Sequence, residues 1–115
     1  MTARGISLAT ITKQSKCLHQ VQKEDLRAGD RVFLTTRNST YSLLYLVNGF
    51  YRVSGGWFDR KGLSPVRTKI LGCTWGGSVI KADVVAACGL HVEFVNRVIT
   101  SPISKIFVLP YGRDN

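Results

Sequence analysis

Two short cysteine–histidine pairs are the first residues whose types and spacing could do chemistry. Cys17-Leu18-His19 and Cys88-Gly89-Leu90-His91 offer four ligands, and structural zinc sites are often assembled from two such pairs, with Cys73 as a further thiol. In an extended strand residues two apart share a face, so Cys17 and His19 could converge on one ion. Packing is the competing explanation, because Cys88 follows Ala86-Ala87 and a thiol in apolar sequence ordinarily serves as a small core residue. Packing is the expectation here, and no metal or other cofactor is assigned. The thiols and histidines, with Ser39, Ser78 and Ser101, could also supply a nucleophile and its base, but the chain has no Gly-x-Ser-x-Gly elbow. Only Glu24-Asp25 sets two carboxylates side by side, which is too little for paired acid–base work. Gly76-Gly77-Ser78 could cradle an anion on backbone N–H groups. No Lys-Ser/Thr pair and no long helix follow it, so a tight turn is expected there rather than a P-loop.

Charge offers a second chemistry. The 115 residues carry 16 Lys and Arg against 7 Asp and Glu, a formal net charge of +9, with a pI near 10.0. A field of that sign attracts polyanions without sequence-specific contacts. Basic and aromatic residues stand together at Tyr51-Arg52, at Trp57 ahead of Arg60 and Lys61, and at Arg67 and Lys69. Gathered on one face, the cations would hold phosphates while Tyr51 and Trp57 stacked bases, the manner in which small β domains take single strands. The charge is evenly spread along the chain. Residues 1–57 carry 8 basic and 3 acidic groups, net +5, and residues 58–115 carry 8 and 4, net +4. The site is therefore conditional on strands that bring Tyr51, Arg52, Trp57, Arg60, Lys61, Arg67 and Lys69 together.

The elements available to do this are almost all strands. A turn over Leu26–Asp30 precedes a strand from Arg31 to Arg37, and Asn38-Ser39 breaks it. Tyr41 to Val47 alternates Tyr41, Leu43, Tyr45 and Val47 with Ser42, Leu44 and Leu46; both faces are apolar, as in a central strand. Asn48-Gly49 then predicts a two-residue hairpin, because a type I′ turn needs positive φ at both positions. Phe50 to Val53 returns, Gly55-Gly56 ends that arm, and Trp57-Phe58 follows as a short apolar pair. After the Lys61–Pro65 loop, Val66, Thr68 and Ile70 alternate with Arg67 and Lys69, placing the cations on an outer face. Asp83 to Gly89 has the cap and stop residues of a helical turn. His91–Val95 and Ile103–Leu109 read as strands, the latter bracketed by Pro102 and Pro110.

Six to seven short strands in a chain of this length predict one all-β domain, a small partly open barrel or compact sandwich over residues 24–115. Residues 1–23 contain no acid and are expected to be a flexible basic tail rather than a targeting segment. No apolar run approaches the roughly 18 residues of a membrane span, and three scattered cysteines favour a reducing compartment, so the expectation is a soluble cytoplasmic protein. The set Thr36–Tyr41, Gly55-Gly56-Trp57-Phe58, Gly72–Ser78 and Thr100-Ser101-Pro102 resembles a group of small bacterial all-β proteins of uncharacterised function, over roughly residues 26 to 106. That resemblance implies a bacterial, soluble domain and assigns no activity, cofactor or partner. The leading expectation is a non-enzymatic binding module for an anionic ligand such as single-stranded nucleic acid. A homo-oligomeric structural or protein-interaction module ranks second, and a small hydrolase or zinc-binding domain ranks behind both.

Overall fold

Asn48 and Gly49 close a hairpin with φ of 57° and 82°. The Leu46 N–H donates to the Phe50 carbonyl at 2.8 Å, and the Phe50 N–H to the Val47 carbonyl at 3.1 Å. Around this hairpin the computed structural model describes residues 19–75 and 80–112. Among these residues the strands are β1 (Gln20–Gln22), β2 (Arg31–Thr36), β3 (Thr40–Tyr45), β4 (Phe50–Gly55), β5 (Val66–Thr74), β6 (Ile80–Lys81), β7 (Val84–Ala87), β8 (His91–Phe94) and β9 (Ile103–Leu109). A one-turn helix, α1 (Gly56–Arg60), and a 3₁₀ turn at Lys23–Asp25 complete them. The fold is all-β, as the alternation predicts.

The main sheet runs β6-β5-β4-β3-β2-β9, every pair antiparallel, with β8 joined to the second half of β5. β1 and β7 form a separate two-stranded sheet, and no closed barrel forms among the described residues. β5 serves both regions: residues 66–69 pair with β4, and residues 70–74 pair with β8 across a register shift at Leu71. Strict alternation gives the sheet an inner face of Val32, Leu34, Tyr41, Leu43, Tyr51, Val53, Ile70 and Ile106, all buried. Phe58 of α1 plugs this interior. Its ring meets Tyr41, Trp57 and Phe94 edge-on at centroid distances of 6.3, 5.3 and 5.1 Å, the geometry that aromatic quadrupoles prefer.

Two local expectations need correction, and one further segment receives a conformation. Residues 20–22 belong to the fold and not to a tail: Val21 is buried and faces Ala86 across the β1–β7 pair, while residues 1–18 lie outside the described part. Asp83 to Gly89 contains a strand, not a helical turn. All four residues of β7 are buried, the Asp83 carbonyl accepts the Lys23 N–H at 2.8 Å, and β1 supplies a ladder that a helix would forfeit; Val84-Val85 also favours extended backbone. Trp57-Phe58 lies in a helical turn because Gly55 and Gly56, at φ of 99° and 45°, swing the chain across Tyr41. A Cβ at Gly55 would strike the Thr40 carbonyl, and one at Gly56 the Tyr41 ring.

Candidate nucleic-acid interface

The residues that alternate away from the core lie on the other face of β9-β2-β3-β4-β5, and they differ sharply in chemistry. One cross-strand row reads Leu109, Arg31, Leu44, Arg52, Arg67, each directly opposite the next. The row beside it reads Phe107, Phe33, Ser42, Ser54. On the far side of the arginine row Phe50 faces Lys69, and at the other end Lys105 faces Thr35. Arg52, Arg67, Lys69 and Lys105 are exposed; Arg31 and the three phenylalanines are half-buried. The five strands contribute five cations to this face and contain no Asp or Glu.

The details hold these groups in place without neutralising them. Arg31 donates to the Ser42 hydroxyl at 2.9 Å, using one of five guanidinium N–H groups. The Arg67 guanidinium and the Lys69 ammonium lie 4.2 and 4.8 Å from the Phe50 ring centroid, so cation–π contact fixes both above one aromatic ring. Arg52 and Arg67 are direct cross-strand partners, and like charges so placed destabilise a sheet. None of the five cations forms an ion pair among the described residues.

The structure thus brings together Arg52, Arg67 and Lys69 and separates the rest of the expected site. Tyr51 is 1% exposed and points into the core, tilted against Tyr45 at 5.2 Å, where burial holds its phenol well above the usual pKa; it cannot stack a ligand. Its neighbour Phe50 takes the outward position, since adjacent strand residues face opposite ways. Trp57 is half-buried against the core, and its backbone N–H donates to the Tyr41 hydroxyl at 3.3 Å. Arg60 and Lys61 sit beyond the Gly55 end of β4, away from Phe50. There Arg60 donates to the Ser39 hydroxyl at 3.2 Å, and the Asp59 carboxylate anchors α1. It accepts from the Ser64 hydroxyl and from the Gly55 N–H at 3.0 Å, which hold it below the ordinary carboxylate pKa.

The cysteine–histidine pairs do not assemble a metal centre among the described residues. β1–β7 pairing brings His19 beside Cys88, whose N–H donates to the His19 carbonyl at 2.8 Å, while Cys17 lies outside the described residues. The 88–91 pair separates. The Cys88 thiol points to the Ser104 carbonyl at 3.6 Å, and His91 Nδ1 lies 2.7 Å from the Thr100 carbonyl. Cys73 is fully buried, and desolvation pushes its thiol up to about 11. Gly76-Gly77-Ser78 also lies outside the described residues.

Arg31, Phe33, Phe50, Lys105 and Phe107 were not among the expected site residues, yet the sequence carries their signal. Four strands each hold an i, i+2 pair of outward residues: Arg31/Phe33, Phe50/Arg52, Arg67/Lys69 and Lys105/Phe107. Contiguous basic–aromatic runs such as Tyr51-Arg52 draw the eye, but a strand presents every second residue. No protein-family profile, curated protein or solved structure matches the chain. No helix among the described residues is long and apolar enough to cross a membrane.

Proposed function

We propose that the protein is a non-enzymatic binding module whose outer sheet face takes single-stranded nucleic acid. The observation that carries this is the composition of one face: five cations, three phenylalanines and no carboxylate on five adjacent strands. Arg31, Arg52, Arg67, Lys69 and Lys105 would follow the phosphates, Phe50 would hold Arg67 and Lys69 in place, and Phe33 and Phe107 would offer ring surface to unpaired bases. Stacking of this kind tolerates any base, so the ligand is defined by being single-stranded rather than by its sequence. A duplex keeps its base faces covered and would engage only the cations.

The test is titration of a labelled oligothymidylate at several salt concentrations, beside a duplex of equal length. Five phosphate contacts at about 0.7 each give a slope of log K against log salt of about −3.5. Preference for the single strand with a slope near that value is the expected result. No binding at low salt overturns the proposal, and equal affinity for the duplex removes the stacking half of it.

A second arrangement, self-association, draws support from exposed Leu71 and Trp75 on and just beyond β5, and from exposed Val95 and Ile99 after β8. Exposed apolar side chains of this size mark contact surfaces when they adjoin. It predicts a sedimenting mass that is a multiple of 12.7 kDa; a monomer at high concentration excludes it.

A further inference from the structure

The arginine row ends in a cavity. It is a half-open cavity of about 540 Å³, lined among the described residues by Gly29, Arg31, Leu44, Leu109, Pro110, Tyr111 and Gly112, so three members of the row form one side of it. Its volume lies in the range of small-molecule sites, and its lining has their usual character, apolar with a single charged group. Among the described residues no carboxylate lines it.

Tyr111 is the informative wall. Its side chain is 71% exposed, so burial does not explain its position, yet two devices hold it there. The Asp30 carboxylate, 1% exposed, accepts the Tyr111 backbone N–H at 3.0 Å on one oxygen and the Arg27 N–H at 2.9 Å on the other. Beneath the ring lies Gly29 at φ 93°, where an added Cβ would stand 2.7 Å from two ring carbons. Asp30 and Gly29 also build the Arg27–Asp30 turn and dock it on Tyr45 of β3, so a rigid turn holds a solvent-exposed aromatic ring over the cavity. On the opposite side, Arg31 is oriented by Ser42 and keeps its remaining N–H groups for an anion.

We propose that this cavity is a nucleotide subsite, in which one base of the bound strand leaves the stack and lies against Tyr111 while its phosphate meets Arg31. The inference rests on the outer-face reading and extends it. The strand crosses the sheet along Arg67, Arg52 and Arg31 and sets a nucleotide into the cavity beyond Leu109. Leu44 and Leu109 supply apolar contact for a base edge, and the ring of Tyr111 supplies the platform.

Three proteins and one probe, a ten-nucleotide oligothymidylate, test it. Wild type, Tyr111→Ala and Tyr111→Phe are titrated at two salt concentrations, with ¹H–¹⁵N spectra locating the contacts. The Ala variant keeps the backbone N–H that Asp30 holds, and its thermal unfolding checks that the fold is retained. Loss of one stacked base weakens binding by about 5- to 150-fold, with the salt slope unchanged because tyrosine carries no charge. Tyr111→Phe restores wild-type affinity, and the amides of Gly29, Arg31 and Leu109 shift in wild type on addition of the oligonucleotide. Wild type and Tyr111→Ala binding equally well overturns the subsite and leaves the sheet interface standing. Failure of wild type to bind at low salt overturns both.

Discussion

Arg52 separates what the sheet needs from what a ligand needs. It stands opposite Arg67, and it is Arg67 and Lys69, not Arg52, that lie over the Phe50 ring. Replacing Arg52 by Gln therefore removes a like-charge neighbour while sacrificing no cation–π contact, and the glutamine stem still covers the sheet. Relief of one directly opposed like-charge pair is worth about 0.2–1 kcal/mol, so Tm rises by about 1–5 °C for a domain of this size. Binding moves the other way. One phosphate contact fewer changes the salt slope from about −3.5 to about −2.8, which is about a fivefold loss at 0.1 M salt when referred to 1 M. Calorimetric unfolding and oligothymidylate titration of the same preparation measure both effects. Lys61→Gln is the control, since it removes the same net charge from outside the face and leaves the slope unaltered. Equal slope changes in the two variants would mean that only the total charge matters. A destabilised Arg52→Gln with unchanged binding would refute the face as a ligand surface.

Two further predictions concern the interior. Phe58→Ala empties the space where three rings converge and costs about 3–5 kcal/mol, read as a lower urea midpoint; a loss below about 1 kcal/mol would show that α1 does not support the core. Cys73, buried and with its thiol raised to about 11 from an ordinary 9.0, resists iodoacetamide at pH 8 until the protein unfolds, and mass spectrometry of the peptide follows it. The sign for stability follows from the raised value: the fold favours the protonated thiol, so its contribution is complete below about pH 9 and is lost as pH climbs through 11. Modification of Cys73 at the rate of an exposed thiol would contradict its position.

Strand positions were legible wherever alternation met a definite turn. Asn48-Gly49 fixed the β3–β4 hairpin because few other residues accept positive φ at both turn positions, and Pro102 and Pro110 bracket β9 as read. Legibility failed where the deciding partner lies far away in sequence. β7 is extended because Gln20–Gln22 pair with it, and no property of Asp83–Gly89 alone announces β1. The helical turn at Gly56–Arg60 depends on Tyr41, whose ring leaves no room for a Cβ above it. Arg67 and Lys69 lie on the outer face where alternation puts them, whereas Tyr51 merely stands beside Arg52 in sequence. In a strand that adjacency is the reason it points the opposite way.

The even spread of charge along the chain is compatible with five cations on one face. Arg31, Arg52, Arg67, Lys69 and Lys105 come from four different strands, and it is the register of β9-β2-β3-β4-β5 that aligns them. Six of the seven acids lie among the described residues, and none of these six is on the face. Glu24 and Asp25 lie in the 3₁₀ turn, Asp59 anchors α1, Asp83 begins the β7 segment, Glu93 is on β8, and Asp30 is buried beneath Tyr111. Folding stability alone would favour the reverse, with a carboxylate opposite Arg52 or Arg67 replacing repulsion by attraction. On the proposed reading, a face that forgoes such pairing among the described residues, and sets phenylalanines beside its cations, takes its stabilising partner from outside the chain. That reading asks of the partner negative charge at intervals along its length and flat rings between, the combination that a nucleic acid single strand provides.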